Sequence, residues 1–136
     1  NMRTGEVIGA EALIRWQHPE KGLLAPADFL PTIQDAELSI AVGDWVIGEA
    51  LRQIDVWHRR GLHVPVSVNI SAQHMQHPQF VSNLASQMAL YPDLPGDTLE
   101  VEVLESSALD DISRASAVSQ PLRWISPSSC PGPQPA

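Results

Sequence analysis

Cysteine occurs once in these 136 residues, at Cys130, so no internal disulfide and no cysteine-rich zinc site can form. Basic residues are scarce. Eight Lys and Arg stand against 16 Asp and Glu, for a formal charge of −8 and an isoelectric point near 4.9. That balance argues against binding nucleic-acid polymers, which takes basic surface. It leaves room for a phosphate ligand received through divalent cations, because a bound cation inverts the local electrostatics. Long apolar runs are missing too. None approaches the roughly 18 residues needed to span a membrane, and the N-terminus lacks a signal-peptide shape. The expectation is a soluble cytoplasmic chain without direct membrane insertion, compatible with a membrane tether elsewhere in a parent protein.

What is present points to a packed domain. Hydrophobic residues make up 43% of the chain and there are four Trp, enough for one real core. Thr4-Gly5 reads as a turn into a strand over Glu6 to Trp16. Alternation along that strand puts Glu11, Leu13 and Arg15 on one face and Ala12, Ile14 and Trp16 on the other. A carboxylate and a guanidinium on one face suit a metal ion and an anionic ligand. An exposed, solvated Glu/Arg face accounts for the same pattern.

His18 to Gly22 has loop chemistry. Pro26 opens a short helical segment expected to run to about Glu37. The clearest helix covers Ile40 to Arg60, where Ile40, Ile47, Leu51, Ile54 and Trp57 recur at helical spacing, and Gly61 supplies the residue that ends it. Val64 to Ile70 alternates as a strand, with Ser71 as a helix-cap candidate. Pro78 to Leu90 reads as a helix, Thr98 to Leu104 as a strand, and Ser106 to about Val118 as a further helix. Strands alternating with helices are the grammar of a parallel α/β fold, in which ligands gather at the C-terminal ends of strands. Those ends carry Glu11 and Arg15, then Asn69, then Glu102 and Glu105. Such oxygen donors suit Mg²⁺ or Mn²⁺ better than zinc. His74 and His77 have a spacing that suits a metal on a helix, but nothing completes a zinc set. Glu102 also fits a solvated acidic run, and Asn69 a strand end that satisfies its own backbone.

Four ordered stretches resemble the EAL-domain family of cyclic-di-GMP phosphodiesterases. They are Gly9-Ala10-Glu11-Ala12-Leu13-Ile14-Arg15-Trp16, Pro26-Ala27-Asp28-Phe29-Leu30-Pro31, Val68-Asn69-Ile70-Ser71, and Leu99-Glu100-Val101-Glu102-Val103-Leu104-Glu105-Ser106. The helix with Gly43-Asp44-Trp45-Val46 lies between the second and third. The resemblance implies a TIM-like (β/α) barrel, here in part, with an active site that binds two divalent cations (Mg²⁺ or Mn²⁺). It implies in-line attack of an activated water on cyclic-di-GMP to give linear pGpG. It further implies Glu11, Asn69 and Glu102 as metal ligands, with Glu11 also catalytic. Arg15 becomes the phosphate contact, which suits a guanidinium's bidentate geometry, and Glu105 the carboxylate that anchors a later metal-site loop. Partners implied are cyclic-di-GMP, a possible homodimer, and fusion to sensory or GGDEF domains.

The chain also departs from the family. A full barrel takes about 250 residues, and the family's DDFGTGYSSL-type segment and its later Lys, Glu and Gln do not occur. Residues 1–120 read as a partial EAL domain. Residues 121–136 hold five of the 12 Pro and read as a Pro/Ser-rich, disordered tail outside the family pattern. The expectation is a truncated and inactive phosphodiesterase fragment. The alternatives are a degenerate module that binds cyclic-di-GMP or a protein without catalysis, or a non-functional product. Gln34, Glu37 and Leu104 stand where the family commonly shows a carboxylate, a glycine and a threonine.

Overall fold

In the computed structural model, residues 1–33, 35–104 and 121–123 are described. The expected helix over Ser106 to Val118 and the candidate Glu105 lie outside them, as do Gln34 and residues 124–136.

Burial of alternate residues organises the sheet. In β4 (Val66–Ser71) every second residue, Val66, Val68 and Ile70, is buried, and the residues between are half-buried. β4 pairs in parallel with β1 (Ala10–Ala12) on one side and with β5 (Leu99–Leu104) on the other. A fourth strand, β6 (Pro121–Arg123), pairs antiparallel with β5, so the order is β1-β4-β5-β6.

The long helix α2 (Ala36–Arg59) covers one face of this sheet. Its buried stripe of Val46, Ile47, Ala50, Leu51 and Ile54 meets Val66, Val68, Ile70, Leu99 and Val101 in one core cluster. The helix starts where Asp35 accepts a hydrogen bond from the Leu38 amide at 3.0 Å, as an N-cap carboxylate does. It ends where Gly61 takes φ of +78°, a conformation that favours glycine. Two further helices, α3 (Ala72–Met75) and α4 (Phe80–Ala89), join β4 to β5. Phe80 and Leu84 of α4 complete the core.

Several elements differ from expectation for identifiable reasons. The first strand pairs over three residues only. Its Ala10 amide bonds to the Pro65 carbonyl at 2.9 Å, and among the described residues β1 has no partner on its outer edge. Val7 and Ile8 are therefore left exposed. Beyond Ile14 the chain turns into a hairpin of β2 (Trp16–His18) and β3 (Gly22–Leu24), antiparallel to each other. Trp16 thus leaves the face it was expected to share with Ala12 and Ile14. It packs edge-on against His18 and Phe29, with ring centroids 4.7 and 5.9 Å away.

The segment from Pro26 is broken rather than continuous. A four-residue helix α1 (Pro26–Phe29) gives way to a 3₁₀ turn over Leu30–Thr32. Pro31 has no amide to carry an α-helical ladder onward, and Ile33 adopts φ −84° and ψ 86°, outside helical space. Finally, Pro121–Arg123 was assigned by composition to the tail, yet it forms β6 on the edge of β5. A proline is tolerated at such an edge because its missing donor need not face a partner.

Ile47 is fully buried beneath the sheet. Ile47→Ala is expected to destabilise the chain by about 3 kcal/mol, through lost transfer energy and a residual cavity. Denaturant unfolding of the two proteins checks this, and a loss under about 1 kcal/mol would contradict the packing described.

Candidate active site

The face of the sheet away from α2 is polar because the other face is not. With Val66, Val68 and Ile70 beneath the helix, Ser67 and Asn69 must project the opposite way. The same parity applies to Glu100 and Glu102 in β5, and to Glu11 in β1. Register places Glu11 opposite Ser67, Ser67 opposite Glu100, and Asn69 opposite Glu102. Adjacent strands lie about 4.8 Å apart, so three candidate ligands from three parallel strands share one small patch. Exposure alternates through the opening motif in the same sense. Glu11, Leu13 and Arg15 are exposed, whereas Ala10, Ala12 and Ile14 are half-buried.

Hydrogen bonding orients part of this patch. Asn69 donates through Nδ2 to Glu11 Oε1 at 2.9 Å, linking β4 to β1. With its nitrogen committed to the carboxylate, the Asn69 carboxamide turns its oxygen to other partners. Glu102 is half-buried. Ser67 Oγ donates to Glu100 Oε2 at 3.4 Å, one step below in the sheet. These side chains offer two carboxylates and one amide oxygen, hard donors of the kind that could hold Mg²⁺ or Mn²⁺. Among the described residues, no group of three or more His, Cys, Asp or Glu is placed to hold a metal.

Arg15 stands apart from that patch. Its Nη1 donates to the Ile14 carbonyl at 2.8 Å, and among the described residues it makes no ion pair. It lines a recess of about 620 Å³ whose other walls include Trp16, Phe29, Ile33, Leu38 and Val42. A guanidinium at the mouth of an apolar recess can meet a ligand that joins a flat apolar part to an anion. On the far side of β1, Glu49 hydrogen-bonds Arg52 at 3.1 Å and holds that guanidinium above its usual pKa. That pair is on the helix surface, in a recess that Ala10 to Arg15 also line.

His74 and His77 do not make a metal pair. His74 is buried and its Nε2 bonds Asp44 Oδ1 at 3.0 Å, whereas His77 Nδ1 accepts from the Gln79 amide at 3.2 Å. The His74–Asp44 contact was not anticipated from sequence. Its linear signals are Gly43, which precedes Asp44, and His74 itself.

The sequence profile of the EAL domain matches residues 1–125. The chain belongs to the EAL domain family. This EAL chain is 33% identical over 118 residues to a cyclic di-GMP phosphodiesterase of Pseudomonas aeruginosa, a match over 87% of the chain and 20% of that protein. It is 36% identical over 120 residues to the bifunctional diguanylate cyclase/cyclic di-GMP phosphodiesterase MucR of the same organism, covering 87% of the chain and 17% of MucR. Among solved structures, a complex of the MucR phosphodiesterase with c-di-GMP matches with a TM-score of 0.69 at 36% identity, over 80% of this chain and 44% of that one. The Xanthomonas citri FimX EAL domain, also in complex with c-di-GMP, matches at TM-score 0.62 over 78% of this chain and 42% of that one. At 22% identity it bears on the fold alone. The EAL chain spans a fifth or less of these curated relatives. Its fold is a partial TIM-like α/β barrel of the EAL type. Among its described residues no helix is long and apolar enough to cross a membrane.

The Asn69–Glu11 bond is expected to register in a double-mutant cycle. Glu11→Ala and Asn69→Ala should couple by about 1 kcal/mol, as a partly exposed hydrogen bond to a carboxylate does. Strictly additive losses in unfolding experiments would mean that the two side chains do not meet.

Proposed function

We propose that this chain carries the N-terminal part of a cyclic-di-GMP phosphodiesterase site. Glu11, Asn69 and Glu102 hold a divalent cation, Mg²⁺ or Mn²⁺, and Arg15 contacts a phosphate of the dinucleotide. The observation that supports this most strongly is the Asn69–Glu11 hydrogen bond at 2.9 Å, beside a Glu102 held in register with Asn69. The bond engages the amide nitrogen and leaves its oxygen to serve beside the two carboxylates, which supports the assignment. A solvated strand face has no need for such an arrangement.

When bound, divalent cations supply this chemistry with an acidified water and with compensation for charge building on the phosphoryl oxygens. The chain's own residues do the rest of the work assigned here. Glu11 accepts from Asn69 and offers its remaining lone pairs to the cation. Glu102 brings a second negative charge from the neighbouring strand. Arg15 offers paired donors to a phosphate oxygen at the edge of the recess, whose Trp16 and Phe29 suit a flat base. Glu105 keeps its proposed role as the anchor of a later loop. Fusion to diguanylate cyclase or sensory domains, and dimerisation, belong to the same proposal, in keeping with the bifunctional name of MucR.

Three protein oxygens and water can hold one cation. The 136 residues taken alone do not include the DDFG-type segment that the family uses for the second. Catalytic groups that act as a unit lose function together when one part is missing. Binding without turnover is therefore the expected behaviour of this chain.

Titration of the purified chain with Mn²⁺, followed by the electron paramagnetic resonance of the free ion, tests the proposal. Saturable binding should be weakened at least about tenfold by Glu11→Gln or Glu102→Gln, since each removes one of the few charged ligands. Incubation with cyclic-di-GMP and Mn²⁺ should yield no pGpG. Unchanged binding in both variants would refute the ligand assignment, and steady formation of pGpG would refute the expected inactivity.

A further inference from the structure

Behind the sheet, at the junction of α2, α3 and α4, lies a polar contact that the proposed chemistry does not use. Among the described residues, His74 is the one titratable side chain that is buried, at 1% exposure. Its Nε2 donates to Asp44 Oδ1 at 3.0 Å across 30 residues of sequence. Its Nδ1 is buried with no hydrogen-bond partner. The ring also packs edge-on against Phe80, with centroids 5.1 Å apart. It lies so close over Gly43 that a Cβ there would collide with Nδ1. The same stretch of α2 receives a second tie, from Gln87 Nε2 of α4 to the Asp44 carbonyl at 3.2 Å.

An apolar side chain would fill this space without stranding a nitrogen. Burying an unpartnered polar atom costs stability, so its presence calls for a reason. The reason lies in what His74 is attached to. Its backbone amide donates to Ser71 Oγ at 3.1 Å, capping α3 at the residue where β4 ends. Asn69 is two residues upstream of that cap. A side chain bonded to α2 and a backbone bonded to the end of β4 together fix where the strand stops and how Asn69, two residues before that end, presents itself. A hydrogen bond specifies an orientation in a way that apolar packing does not.

We propose that His74 is a positioning residue for Asn69, acting through Ser71 and held by Asp44 over the bare Cα of Gly43. Its role for the cation rests on Asn69 being a ligand, as proposed above. Its role for the orientation of the Asn69 amide does not. A glutamine can place its terminal NH₂ near the position of Nε2, whereas methionine fills the volume without a donor. Asp44 is partly exposed, and alanine there keeps the helix while removing the acceptor. Asp44→Ala therefore breaks the same bond from the tolerant side.

The test uses the 136-residue chain and its His74→Met, His74→Gln and Asp44→Ala variants, with three readings: the Asn69 side-chain amide resonances, Mn²⁺ affinity, and melting temperature. In the parent chain the Asn69 amide should show the displaced shift of a group bonded to a carboxylate. His74→Met and Asp44→Ala should move it toward the free value and weaken Mn²⁺ binding about tenfold, while His74→Gln stays within about twofold, as outer positioning partners of a metal site behave. Lower melting temperatures with the Asn69 resonances and Mn²⁺ affinity unchanged would overturn the proposal and leave His74 a packing residue. If the parent chain bound no Mn²⁺, the cation reading would fall. The Asn69 resonances would still decide whether His74 positions that side chain.

Discussion

Everything on the polar side of this molecule follows from how β4 is clamped on its apolar side. Val66, Val68 and Ile70 are driven under α2 by the hydrophobic effect, each worth about 1.5–3 kcal/mol when fully buried. Because strand side chains alternate with a period of two, a slip of one residue would bury Ser67 and Asn69 and expose all three apolar neighbours. The register of β4 is therefore fixed by its core face. Its other face inherits that register at no separate cost. Both β1 and β5 are aligned by pairing with it, and so Glu11, Asn69 and Glu102 come from distant parts of the chain to one patch.

The patch brings two carboxylates together on a chain that is already acidic, an arrangement that repels itself without a counter-charge. Asn69 eases part of this by donating to Glu11, since an amide hydrogen carries partial positive charge without adding a full one. A divalent cation would relieve the rest, and the oxygen donors match its preference. Arg15 is not close enough to Glu11 to form an ion pair and is committed to the Ile14 carbonyl, so it is not spent in neutralising the patch. This separation leaves Arg15 for an anionic ligand and the acidic groups for a cation, in keeping with the metal-assisted phosphodiester site proposed above.

Legibility in the sequence followed the strength of the periodic signal. Apolar and polar residues alternate through most of Val64 to Ile70 and Thr98 to Leu104, so both strands are legible in the sequence, and the structure places them at Val66–Ser71 and Leu99–Leu104; which face each buries is set by where α2 packs. The long helix is equally plain, and its start at Ala36 rather than Ile40 reflects a cap, Asp35, that lies outside the apolar stripe. The first strand was read too long because Val7, Ile8 and Trp16 carry strand propensity. Propensity says nothing about whether a neighbour exists to pair with, and at the sheet edge none is found among the described residues. The His74–Asp44 contact was illegible for a different reason. It depends on α3 docking against α2, and the signals were a glycine and a histidine 31 positions apart with no period between them. The four EAL-type motifs, by contrast, identified the family before any geometry was known.

In the function proposed, three strands deliver Glu11, Asn69 and Glu102 to a common cation. Crystals of the chain grown with Mn²⁺ and measured at the manganese absorption edge address it most directly. An anomalous peak is expected within about 2.0–2.6 Å of one oxygen from each of the three side chains, the range of oxygen ligation to such ions. A peak held by other residues, or no peak on this face of the sheet, would contradict it.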